Sequence, residues 1–388
     1  MTLKDDILAK RLIVCCGSGG VGKTTTSAAI ALEAARLGKR TLVITIDPAK
    51  RLAQSLGLES LDDTEREVPL TKLAAGRAAG GSLHAAMLDT QVSLDALIDR
   101  IAAGPEQAAR IKANKIYRQF TSAIAGSQEY VAMERLHQIM QEGRFDLVVL
   151  DTPPTKNALD FLNAPNRLAA FLDENVIKWF VRPPKSGMGS FIFQKGGEVA
   201  YKLLALLVGE QLIADLADFF QAFAGLYSGF AERAQKVDAL LRDPGTVFLL
   251  ITSAEHNALA EAVYFHNRLV ESRITIRAVI VNRAWDILAE TPITGEALAR
   301  MFNEETIAPL VADSPGGRAA AHRLKNKLAA LHTLIQDVNT AARENIERLQ
   351  HTLGAAQNVA CVPAFAEEIY DIQGLMKMNG YLFAGERG

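Results

Sequence analysis

The run VCCGSGGVGKTTT, residues 14–26, constrains this chain more than any other stretch. An apolar segment leads into four glycines within six positions, and a lysine and three threonines follow. The run fits G-x-x-x-x-G-K-[ST] at Gly17, Gly22, Lys23 and Thr24. Glycines let backbone N–H groups turn inward as an anion nest, and a helix starting near Lys23 aims its positive end at the same place. Gly17, Ser18, Gly19, Gly20, Val21, Gly22, Lys23, Thr24 and Thr25 are therefore expected to bind nucleotide phosphates. Lys23 should neutralise the β- and γ-oxygens, and the Thr24 hydroxyl should ligate Mg2+.

Around this loop, short apolar β-rich runs alternate with helical patterns, which predicts a parallel α/β arrangement. Strands are expected at residues 11–16, 40–47, 82–89, 145–154, 246–252, 276–282 and 358–363. Their hydrophobicity is continuous rather than alternating, so both faces of the sheet should be covered, as in a doubly wound fold. A helix is expected at 23–37 and a polar loop at about 61–81. Helical stretches at about 92–141 and 168–241 read as a subdomain inserted into one domain spanning 1–388. A charged stretch at about 318–352 reads as one long outer helix, or two.

A formal charge of −2 makes no electrostatic case for nucleic acid or an anionic membrane. The three cysteines include no C-x-x-C pair, so no zinc is expected. Cys15 and Cys16 are consecutive on a strand and should point to opposite faces. No leader pattern or spanning stretch is evident, and the expectation is a cytoplasmic protein, peripheral at the membrane at most.

Two aspartates stand at expected strand ends. Asp151, in DTPP, lies at the carboxyl edge of a buried strand, where a Mg2+-bound water is a natural partner. Asp47, in TIDPAKR, lies at the equivalent edge of another strand. It is expected to orient the attacking water and to reach the metal through water. A helix N-cap or turn role is the alternative for each.

Together these pieces resemble the ArsA-type ATPases, the family of arsenical pump-driving and tail-anchored-protein-targeting ATPases, within the P-loop class of MinD and ParA. Thr45, Asp47, Pro48 and Ala49 resemble the family's first switch, T-D-P-A-H, with Ile46 inserted. Asp151, Thr152, Pro154, Thr155 and Leu159 resemble its second. By this resemblance Asn282, in VIVNR, would read adenine, and Pro363 and Phe365, in VPAFAEEI, would border the base. The implied chemistry is Mg2+-dependent ATP hydrolysis by a dimeric switch. Within the family the chain resembles the bacterial ArsA-like ATPases described as anion-transporting.

One departure bears on activity. The class normally reads G-K-G-G-x-G-K-[ST], and its extra lysine reaches a partner's phosphates across a dimer interface; here that position is Ser18. A serine cannot carry that charge, so a homodimer should hydrolyse slowly. Another cation (Lys50, Arg51 or Lys156) or a paralogous subunit that keeps the lysine would have to supply it. The cysteine spacing also leaves an arsenite site unsupported.

The targeting branch holds a client transmembrane helix in a helical groove. The comparable stripe here includes Leu203, Leu207, Leu216, Phe220 and Phe223, with core packing as the plainer alternative. The leading expectation is an ATPase switch coupled to a membrane-protein client or transporter. The alternative is a MinD- or ParA-like positioning or partitioning ATPase.

Overall fold

The computed structural model describes residues 4–5, 9–47, 51–70, 80–118, 127–153, 210–223, 226–284, 303–307, 309, 317–354, 357–365 and 367–383. The chain begins with β1 (Leu12–Cys16), α1 (Lys23–Arg36), β2 (Arg40–Thr45), α2 (Arg51–Ser55), β3 (Arg66–Glu67) and β4 (Ser82–Met87). Helices α3 (Thr90–Ile101), α4 (Pro105–Ala113) and α5 (Ser127–Glu142) precede β5 (Leu147–Asp151). Next come α6 (Glu210–Phe223), α7 (Tyr227–Leu241), β6 (Thr246–Ser253), α8 (His256–Glu271) and β7 (Ile276–Ala284). The last described elements are α9 (Glu304–Ile307), α10 (Gly317–Leu353), β8 (Asn358–Pro363) and α11 (Ile372–Leu382).

The strands form one sheet in the order β3-β4-β2-β5-β1-β6-β7-β8. Neighbours pair in parallel except β3 and β4, which are antiparallel. Every strand expected from an apolar run is present. β3 was expected as loop; two exposed charged residues at a sheet edge carry no hydrophobic pattern to announce them.

Both sheet faces are covered, which is why the central strands can be apolar throughout. Ile13, Cys15, Val43 and Val149 pack with α1 and α11. Leu12, Val14, Cys16 and Val148 pack on the other side with α5, α7, α8 and α10. The adjacent cysteines thus do point apart. The charged stretch near 318–352 is one helix, whose C-terminal half buries Ala342, Ile346 and Leu349 against the sheet.

A second layer of helices has its own core, built on Leu94, Leu97, Ile111, Tyr130, Phe219, Phe223 and Phe230. Helices α5 and α7 belong to both layers. Met133 and Leu136 of α5, and Val237 and Leu241 of α7, face the sheet, whereas Tyr130 and Phe230 face the helices. Each fully buried aromatic there contributes roughly 1.5–3 kcal/mol of hydrophobic stabilisation.

Candidate functional site

β1 carries the glycine loop to the carboxyl edge of the sheet, between β5 and β6. Open parallel sheets bind ligands at that edge. Gly22 caps α1 with φ 92°, and its missing Cβ leaves room for the Asn282 side-chain amide. At Gly17 a Cβ would collide with the backbone carbonyl of Ile251. The loop is therefore pressed against β6 and β7 as well as turned back on itself.

Lys23 is buried, and its Nζ donates a 2.7 Å hydrogen bond to the Ser18 carbonyl across the loop. Burial pulls its pKa down, with Asp151 pulling the other way. Ser18 serves this contact through its backbone, so the side chain present at this position does not affect it.

The carboxylate of Asp151 is the meeting point of three segments. Its Oδ2 accepts from Thr24 Oγ1 at 2.7 Å and from Thr45 Oγ1 at 2.8 Å. Its Oδ1 is buried with no hydrogen-bond partner among the described residues. Burial pushes the Asp151 pKa up to about 6, against the two hydroxyls and Lys23, with Asp47 adding to the rise. Thr45 belongs to the run that resembles the first switch, and only the β2–β5 register sets it opposite Asp151.

Asp47 lies just beyond β2, half-exposed, and its backbone N–H donates to Thr45 Oγ1 at 3.1 Å. Thr152 ties the end of β5 back to β1 through a 2.9 Å bond from its hydroxyl to the Cys15 carbonyl. One hydrogen-bonded unit thus joins the glycine loop and the ends of β2 and β5.

These residues fit a hydrated Mg2+. An orphaned buried carboxylate oxygen, a hydroxyl and a nearby second aspartate are hard oxygen donors. No group of three or more His, Cys, Asp or Glu forms a metal cage among the described residues. Mg2+ at phosphate sites needs only one or two carboxylates, because water and phosphate complete its shell.

On the opposite flank, Asn282 Nδ2 donates a 2.9 Å bond to the Val21 carbonyl and is buried beneath the loop. Pro363 ends β8 opposite Ala284, one strand away from Asn282. Phe365 turns to α11, where it meets the Tyr381 ring at 5.7 Å and Lys377 Nζ at 5.1 Å. Arg51 is exposed at the start of α2; Lys50 and Lys156 lie outside the described residues.

Among the groove candidates, Leu203 and Leu207 lie outside the described residues, as do the side chains of Leu216 and Phe220 on α6. Phe223 is 1% exposed, with the Phe219 ring 4.3 Å and the Phe230 ring 6.2 Å from its own. The groove expectation is corrected at this position. Phe223 is a core residue, because aromatic neighbours from α6 and α7 enclose it.

Residues 10–305 match the family model described as anion-transporting ATPase, of the ArsA type. The chain belongs to that family. A protein of Aquifex aeolicus (strain VF5) named as an arsenical pump-driving ATPase is 25% identical over 277 residues, 70% of this chain and 63% of its own length. The match thus spans less than two thirds of that relative. ATPase ARSA2 of Chlamydomonas reinhardtii is 27% identical over 73% of this chain and 70% of its own. ATPase get3 of Aspergillus terreus is 26% identical over 70% and 73% respectively. No helix among the described residues of this family member is long and apolar enough to cross a membrane.

Proposed function

We propose that this chain is a Mg2+-dependent ATPase that works as a dimeric switch for a membrane-protein client or transporter partner. One observation carries the reading: Thr24, Thr45 and Asp151 converge beside Lys23, with one Asp151 oxygen buried and unpartnered. A carboxylate is costly in that state unless a cation or its water completes it.

Bound Mg2+ would offset charge on the phosphate oxygens during phosphoryl transfer. The Thr24 hydroxyl would hold it directly, and Asp151 and Asp47 through water. Lys23 would leave the Ser18 carbonyl for the β- and γ-oxygens. Asp47 would orient the attacking water, and its link to Thr45 would pass the γ-phosphate's presence to the end of β2. Asn282, Pro363 and Phe365 would form the adenine side.

The family assignment and the relatives named as ATPases support hydrolysis of ATP, and weigh against the positioning or partitioning alternative. Family resemblance is also the support for a dimer and for a membrane-protein client. Ser18 favours a partner subunit that retains the signature lysine over a homodimer.

The test is phosphate release by the pure chain, with and without Mg2+, beside Lys23→Ala and Asp151→Asn, together with sizing in ATP. Mg2+-dependent turnover lost in both variants is expected. Tight ATP binding that ignores Lys23→Ala would sink the reading.

A further inference from the structure

The end of β7 carries an irregularity that the phosphate-loop motif does not require. Val281 pairs with Cys361 but Ala284 pairs with Pro363, so β7 takes three steps where β8 takes two. This is a β-bulge, a device that re-aims side chains beside functional sites. Arg283 sits in it with φ 55°, the left-handed region that favours glycine. Non-glycine residues held in sparsely populated backbone conformations are enriched at functional sites.

The bulge aims Arg283 at the glycine loop. Its Nη1 lies 3.5 Å from the Gly20 carbonyl, while the neighbouring Asn282 amide lies 2.9 Å from the Val21 carbonyl. Consecutive residues of β7 thus face consecutive carbonyls of the loop. Arg283 is exposed, so its guanidinium keeps donors in reserve.

The position along the sheet says which part of a nucleotide this cation meets. Asp151 and Thr45 lie on the β5 and β2 side of β1, and Arg283 lies beyond β6 on the other side. Its charge is therefore remote from the Mg2+ end of the site and close to the Asn282 end.

We infer that Arg283 is a nucleotide-binding residue, a cation from within the chain that holds phosphate oxygens at the nucleoside end of the loop. The inference rests on the nucleotide reading above. It also implies that Arg283 does not replace the charge missing at Ser18, since that charge belongs at the γ-phosphate.

The experiment is titration of the full chain with fluorescent ADP and ATP, using the natural protein, Arg283→Gly, Arg283→Gln and Lys23→Ala. Arg283→Gly should weaken ADP and ATP alike, about tenfold, and melt no lower without nucleotide, because glycine suits the bulge. Arg283→Gln keeps side-chain N–H donors but no charge, and should weaken both nucleotides to a similar degree. The slope of log Kd against log salt should be shallower in both variants. If Arg283→Gln binds both nucleotides as the natural protein does, the arginine only braces the loop and the inference falls. A loss for ATP alone would place the guanidinium at the γ end and overturn it as well. If Lys23→Ala binds ADP undiminished, the nucleotide reading itself fails, a result separable from either arginine outcome.

Discussion

The Thr24 hydroxyl donates a 2.7 Å hydrogen bond to Asp151, joining the first turn of α1 to the last residue of β5. Thr45 reaches the same oxygen from β2, so one carboxylate ties together three segments far apart in sequence. Its other oxygen is left buried and unpartnered among the described residues, a costly state for a charged carboxylate.

That cost can be measured. The Asp151 pKa rises from 3.8 to about 6, so without metal the folded chain keeps a proton that the unfolded chain has released. Stability therefore falls as pH rises between those two values, and the whole loss, on the order of 2–3 kcal/mol, is present at higher pH. Asp151→Asn should raise the melting temperature in chelator at neutral pH and flatten this pH dependence. The same variant should lose Mg2+-dependent hydrolysis by about a hundredfold or more. A lower melting point would mean that the carboxylate is a net structural bond.

The two tight glycines should respond differently to alanine. Gly22→Ala meets a side chain, Asn282, which can swing away at the loss of its bond to Val21. Gly17→Ala meets the Ile251 backbone, which cannot. Urea unfolding should show a loss of roughly 1–3 kcal/mol for Gly22→Ala and more for Gly17→Ala. Adding Asn282→Ala to Gly22→Ala should cost less than the sum of the single changes.

Phe223→Ala should destabilise the chain by about 3–5 kcal/mol, because it opens a cavity among packed aromatic rings. Thermal melts and limited proteolysis across α6 and α7 would register this. Unchanged stability would return Phe223 to an open groove.

Ser18→Lys should raise ATP hydrolysis by about tenfold or more, since a cation at the transferring phosphoryl group lowers the barrier. The gain should appear only at concentrations where the chain dimerises, in a turnover assay run against protein concentration. A gain in dilute monomer would mean that the lysine acts within its own subunit.

Burial pushes the Cys15 thiol up to about 12 and raises that of Cys16 as well. Native Cys15 and Cys16 should resist thiol reagents near pH 8 and react only on unfolding, with the half-buried Cys361 labelled first. Because the folded thiols stay protonated where an unfolded cysteine has ionised, stability should fall as pH rises above 9.0.

Local pattern explains what could be read in advance. The glycine loop and its lysine are a contiguous motif, and the buried strands are apolar runs, so both show in a short window of sequence. The strand-end positions of Asp151 and Asp47 were legible because a polar residue closing such a run marks the carboxyl edge of a sheet. β3 was not, because two charged edge residues have no periodicity to detect. The groove reading failed at Phe223 because an apolar helical stripe looks the same whether it faces a client or another helix.

What needed the tertiary structure was convergence. Thr45 became a hydrogen-bond donor to the Asp151 carboxylate only when β2 and β5 paired in parallel and in register. Arg283 reached the loop through a bulge that glycine would have announced and arginine did not. The loop's own residues determine the tight turn and the start of α1 at Gly22. Which side chains complete the site depends on strand order and register, because those alone bring residues 106 and 263 positions apart in sequence within reach of one another.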